Sequence, residues 1–205
     1  MKTFLHYVGA GIYGMDAFAE EAKKIGVHRS IGFNKLKLME WSDEIFLAEH
    51  RKNKRGPYAI VFGYFRVSGI SYTLPDEIKK EVIENLDIVR IDESTSGKVQ
   101  RECGSYVEGV TTYVNNTLQE ILAIIQRICL KHDLDVNDYK YFVAGKFVGI
   151  EAKRLGYGAT FFRGYKEIAR EVVTEAETIP EDEHFVSEIL QDTYQKKNYK
   201  TKSLE

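Results

Sequence analysis

Between Trp41 and Tyr72 the chain reads W-S-D-E-I-F-L-A-E, then H-R-K-N-K-R-G-P, then Y-A-I-V-F-G-Y-F-R-V-S-G-I-S-Y. Two apolar, aromatic-rich runs joined by a short polar segment with a Gly-Pro pair predict a β-hairpin, because β-branched and aromatic side chains suit a pleated surface. The joining segment is also the densest cationic cluster of the chain, with Arg51, Lys52, Lys54 and Arg55. A basic tip beside Tyr58, Phe62, Tyr64 and Phe65 pairs phosphate neutralisation with flat rings for stacking, which is what nucleic-acid or nucleotide contact requires. The competing reading is that alternate rings fill a core while the cations keep a hairpin tip soluble.

The formal net charge of -2 excludes the broad positive field of a protein that coats nucleic acid indiscriminately, so an anionic partner has to meet a local patch. Charge is segregated along the chain. Lys196, Lys197, Lys200 and Lys202 form a second basic run, and Glu175, Glu177, Glu181, Asp182 and Glu183 an acidic one, both read as solvated surface. At 205 residues, with a hydrophobic fraction of 43%, the chain is long enough to bury a core without staples. Cys103 and Cys129 are too few for a disulfide framework, and no stretch approaches the roughly 18 apolar residues of a membrane span. A cytoplasmic location and no membrane partner are therefore expected.

Periodicity predicts a strand over 3–8, a helix capped near Asp16 with Phe18, Ala22 and Ile25 on one face, and Gly26 as its end. A short segment over 33–39 precedes the hairpin. Pro75 opens a helix through Leu86, strands follow over 87–91 and within 99–114, and Asn115, Asn116 and Thr117 offer caps to a helix over 118–132. Strands are expected over 141–150 and 157–162, and helices over 166–174 and 183–194. The fold class is α+β: a small mixed β-barrel or strongly bent sheet in the N-terminal half, packed with several helices. Residues 1–114 form the β-rich region and 115–205 a helix-strand-helix region packed on it, a single domain being the alternative.

Gly9-Ala10-Gly11-Ile12-Tyr13-Gly14 has the spacing of a dinucleotide-binding glycine loop. The expected return to a strand ending in Asp or Glu about 20 residues on is missing, so a turn that lets strand and helix pack closely is preferred. In Gly156-Tyr157-Gly158-Ala159-Thr160-Phe161-Phe162-Arg163-Gly164-Tyr165-Lys166, Arg163 and Lys166 are candidate anion contacts. Cys103 beside Arg101 and Glu102 raises the question of a nucleophile, but His6, His28, His50, His132 and His184 show no paired spacing that supplies a base or a metal site. The Asp133 to Asn137 run lacks the glycine and the glutamate of a calcium loop. No metal and no cofactor are expected.

Over residues 15–72 the order of features resembles an ASCH domain, one of the PUA-like β-barrels. It rests on a helix ending in Lys23-Lys24-Ile25-Gly26, a basic strand entry at His28-Arg29-Ser30, the turn Trp41-Ser42-Asp43-Glu44-Ile45-Phe46-Leu47 with Ser42 in the place of the family's glycine, and the return over 59–67. The resemblance implies a barrel whose cleft, near Arg29 and the strand beginning at Asp43, takes RNA or a nucleobase-containing ligand. Arg29 is suited to bidentate contact with a phosphate or a base edge.

The expected function is non-enzymatic binding of RNA or a nucleotide-like anion, with Arg29, Arg51, Lys52, Lys54, Arg55, Tyr58, Tyr64, Arg163 and Lys166 as ligand-binding residues. Two alternatives stand beside it. An enzyme acting on a nucleoside, nucleotide or RNA would bring a carboxylate such as Asp43 or Glu102 against Arg29, a lysine or Cys103. An interaction protein that masks or sequesters a protein partner would expose an apolar patch instead.

Overall fold

A computed structural model of the chain describes residues 1–8, 19–20, 22–24, 26–53, 56–92, 99–100, 106–107, 111–156 and 164–179. The expected strand over 157–162, the helix over 183–194 and the glycine run over 9–14 lie outside these residues. Six strands form the larger sheet: β1 (Thr3–Tyr7), β3 (Glu44–Asn53), β4 (Gly56–Arg66), β11 (Phe147–Leu155), β12 (Tyr165–Glu167) and β13 (Glu177–Thr178), in the order β12-β1-β3-β4-β11-β13. Its one parallel pair is β1 with β3, in register from Thr3 opposite Glu44 to Tyr7 opposite Ala48. A smaller sheet sets β10 (Tyr141–Gly145) between β2 (Val27–Ile31) and β5 (Gly69–Tyr72), antiparallel to both. Strands from both sides of residue 114 thus lie next to each other in both sheets.

The two sheets are joined by short links, β4 leading into β5 after Arg66 and β10 into β11 after Gly145. At Gly145 the two links meet. A Cβ there would lie 2.1 Å from the carbonyl oxygen of Arg66 and 2.8 Å from the Phe65 ring, so only glycine lets the two strands touch. Gly63 serves the same purpose one step along β4, where a Cβ would stand 2.4 Å from the Phe147 ring. Among the described residues no sheet closes into a barrel, and strands and helices mix as expected of an α+β fold.

Between the sheets lies the main core, with Phe4, Val8, Val27, Ile31, Ile45, Leu47, Ile60, Phe62, Phe65 and Tyr141 buried in it. The opposite face of the larger sheet carries a second, smaller core of Leu5, Phe46, Ala48, Ala59, Val61, Leu155 and Val173. A bulge switches the phase of β4: Leu47 faces Gly63 but Ala48 faces Val61, leaving Phe62 as the extra residue.

Helix α1 (Phe33–Leu36) is a single turn that buries Phe33 and Leu36. Helix α2 (Asp76–Glu84) follows Pro75, whose missing N–H costs nothing at a helix start. Helix α3 (Leu118–Lys131) begins with a reciprocal cap: Thr117 Oγ1 accepts from Glu120 N at 3.2 Å, and Glu120 Oε2 accepts from Thr117 N at 2.8 Å. Its stripe of Leu118, Ile121, Leu122, Ile125, Ile128 and Cys129 is buried, and burial pushes the Cys129 thiol up. Helices α2 and α3 are tied by Glu81, which accepts from Lys131 Nζ at 2.7 Å and pairs with His132 Nε2 at 2.7 Å.

The expected helix over 166–174 divides. Residues 165–167 pair with β1 as β12, and only Glu171–Thr174 forms a helical turn, α4. Tertiary pairing overrides local propensity here: the chain past β12 stays extended while Ile168 N donates to Thr3 O at 2.9 Å. A two-stranded ribbon of β6 (Ile88–Asp92) and β9 (Thr111–Val114) and a minimal pair of β7 (Val99–Gln100) and β8 (Tyr106–Val107) complete the described strands. Among the described residues no helix is long and apolar enough to cross a membrane.

Candidate functional site

The hairpin is the longest paired unit, with register from Glu44 opposite Arg66 to Asn53 opposite Gly56. Its outer end has no lateral support among the described residues. Among the described residues pairing of β1 ends at Ala48 and pairing of β11 ends at Ala59, and the hairpin ladder continues beyond both through the pairs Arg51 with Tyr58, Lys52 with Pro57 and Asn53 with Gly56, which we call the arm. Arg51 and Lys52 occupy this arm, while Lys54 and Arg55 lie outside the described residues. Pro57, which has no N–H to give a ladder, pairs only with Lys52 among the described residues.

The aromatic residues of β4 do not share one surface. Phe62 and Phe65 are buried in the main core. Tyr58 is half-buried against the same core, and the Arg154 guanidinium lies over its ring at 5.1 Å. Tyr64 is half-buried on the opposite face, against the second core, with its ring 5.2 Å from that of Phe46. A ligand stacked on Tyr64 is thus on the other side of the sheet from Tyr58.

Arg29 is an interior residue. It follows the inward alternation of Val27, Arg29 and Ile31, all buried, and its side chain meets His6 on β1, whose Nε2 accepts from Arg29 Nε at 3.2 Å. A guanidinium only donates, so Nε2 of His6 is the acceptor, and Nδ1 carries the hydrogen directed at Gly164 O, 3.3 Å away. The imidazole is also stacked on Tyr165, centroid to centroid 4.2 Å, and Tyr165 Oη donates to Ser30 O at 3.1 Å. Burial, reinforced by the Arg29 charge and opposed by the Gly164 bond, pushes the His6 pKa down to about 4. Arg29, His6 and Tyr165 therefore staple β2 of the smaller sheet to β1 and β12 of the larger, with the neutral imidazole accepting one of the donors of the buried guanidinium.

Asp43 does not meet Arg29. Its carboxylate is buried and occupied by backbone donors, Lys2 N at 2.6 Å and Glu40 N at 2.9 Å, which fix the turn into β3. Lys166 is half-buried on β12 opposite Leu5. Arg163, Glu102 and Cys103 lie outside the described residues. Among the described residues no three His, Cys, Asp or Glu side chains converge as they would around a metal ion. An open groove of about 590 Å³ lies between the end of β11 and α4. Its lining includes the carboxylates of Glu171 and Glu175 against the single cation Arg154, the wrong balance for an anion.

The sequence reading names His6 only among histidines without paired spacing and Tyr165 only within the glycine-aromatic run, and links neither to Arg29, although His6 stands at an inward position between Phe4 and Val8. Glu44 enters it only as part of the turn into β3, and Arg66 and Arg170 carry no role in it. Arg170 donates to Glu44 Oε2 at 2.8 Å and Arg66 to Glu44 Oε1 at 3.1 Å, a cluster assembled from distant stretches of chain that no local spacing announces. No protein-family model matches the chain, and no curated protein is similar enough to it to count as a match.

Proposed function

We propose that this chain binds RNA or a nucleotide-like anionic ligand without performing chemistry on it, and that the β3–β4 arm supplies the main phosphate contacts. The observation that carries the reading is the arm itself: a hairpin whose ladder runs out to Asn53 opposite Gly56, beyond the last described pairing of β1 and of β11, in a stretch of sequence that holds Arg51, Lys52, Lys54 and Arg55. Cations presented on a projecting ladder reach a phosphate backbone without a complementary groove. The PUA-like resemblance fits this reading at one further point, since Ser42, in the place of the family's glycine, has a left-handed φ of 71°. Arg29 takes the role of an internal staple in this reading, and Tyr64 remains the stacking candidate.

Replacing Arg51, Lys52, Arg55 and Lys54 together by Ser tests it, with a fluorescent single-stranded RNA followed by anisotropy across a salt series. Affinity is expected to fall by at least roughly tenfold, and the log-log salt slope to shrink by about 0.7 per lost phosphate contact. An unchanged slope removes the arm from the interface.

A second reading, an interaction protein that masks a protein partner, is favoured by the β6–β9 ribbon. Val89, Ile91 and Tyr113 are exposed at 62%, 48% and 42% on an element that packs little of its apolar surface into either core. Isolated exposed apolar side chains are ordinary, but Val89 and Ile91, two apart on one strand, make a small apolar surface a partner can cover, while Tyr113 lies opposite Arg90 with the guanidinium 4.2 Å over its ring.

A further inference from the structure

Glu44 is fully buried, and its carboxylate is held by two guanidiniums. Arg66 approaches Oε1 through Nη2 at 3.1 Å and Nε at 3.4 Å, and Arg170 approaches Oε2 through Nε at 2.8 Å. A buried carboxylate requires one cation for neutrality. The second is surplus, so the cluster carries a net positive charge. Both guanidiniums reach solvent, with side-chain exposures of 57% for Arg66 and 46% for Arg170. The Nη1 group of Arg66 and both Nη groups of Arg170 find no acceptor among the described residues.

The geometry points to a phosphate-binding site between Arg66 and Arg170, on the second-core face of the six-stranded sheet. Two planar forks pinned by one carboxylate are pre-organised: their orientation is set before a ligand arrives, and phosphoryl oxygens match the paired N–H donors that remain. Glu44 holds the Arg170 guanidinium more firmly charged, first by hydrogen bonding and then by its negative charge. Tyr64 and the exposed carboxylate of Glu171 act on Arg170 more weakly, the carboxylate being the opposing charge a ligand has to tolerate. The half-buried Tyr64 ring on this face gives a phosphate-bearing ligand a flat surface beside the anion. This site goes beyond the arm and does not depend on it. Glu44 and Asn53 are the two ends of β3, which places about 30 Å between the arginine pair and the turn.

The test uses the full chain with three probes: inorganic phosphate followed by calorimetry, and one short RNA carrying either a 5′-phosphate or a 5′-hydroxyl followed by anisotropy. Arg66→Gln is the main variant, because Arg170 still neutralises Glu44 and the fold is retained. The Arg66→Lys, Arg170→Lys pair is the second, keeping both charges while removing the forks. Wild-type protein is expected to bind at least one probe saturably, and both variants to weaken that binding by tenfold or more with unchanged melting temperature. The variant with serines in the arm keeps phosphate binding, which separates this site from the arm. Weakening confined to inorganic phosphate and the 5′-phosphorylated RNA assigns the site to a phosphomonoester, and equal weakening of both RNAs assigns it to a backbone diester. Absence of saturable binding to all three probes, or equal binding by wild type and both variants, overturns the proposal.

Discussion

Among the described histidines, His6 has its acid-base chemistry altered most by its surroundings. Its folded pKa of about 4 lies below the ordinary 6.5, so folding favours the neutral ring. A depressed folded pKa means that the stabilisation is fully present above the unfolded value and is lost as pH falls towards the folded one. Between pH 6.5 and 4 the staple should therefore cost about 3 kcal/mol of stability, levelling off below. Urea titrations at several pH values, wild type against His6→Gln, isolate this contribution because the other titrating groups cancel in the difference. Parallel pH profiles for the two proteins would remove His6 as the cause. The inward place of Arg29 was legible in Val27-His28-Arg29-Ser30-Ile31, where it stands between two apolar residues of the same parity. The reading of Arg29 as a ligand contact came from the ASCH resemblance and from guanidinium chemistry, and His6, one of its partners, comes from a different sheet.

At the scale of elements, local signals were the dependable ones. The capped helix α3 and the hairpin were both readable, because a capping box and a turn between alternating strands are encoded within a few residues of each other. The region 165–174 was misread for the opposite reason: its state is decided by the free edge of β1, which lies far away in sequence. The close approach of the two links is also non-local, since Gly145 is small because of Arg66 and Phe65. Gly145→Ala is expected to destabilise the protein by about 3 kcal/mol or more, since the clash is with backbone and repacking a side chain does not relieve it. Chemical denaturation reads this directly, and a loss below about 1 kcal/mol would show that the contact yields more easily than its geometry implies.

For the molecule as a whole, the α+β class followed from composition and periodicity, whereas the pairing of β10 with β2 and β5 did not. Strand order is set by which apolar faces can be buried together, and one sequence gives many such choices. The β6–β9 ribbon is not hydrogen-bonded to either larger sheet, and Val89 and Ile91 are exposed while Val114 packs against the main core. Replacing Val89 and Ile91 together by Lys should leave the melting temperature nearly unchanged, with a stability change within about 0.5 kcal/mol per site. If the ribbon is a partner surface, the same change abolishes co-purification or self-association seen by light scattering. A large drop in melting temperature would instead make the ribbon part of the fold.

The placing of β1 between β12 and β3 bears on how the protein is made. During synthesis β1 acquires one neighbour once residues 44–48 have been made and the other only once residues 165–167 have. Between those two points the nascent chain carries an open hydrogen-bonding border on apolar residues, the condition under which strands join the wrong molecule.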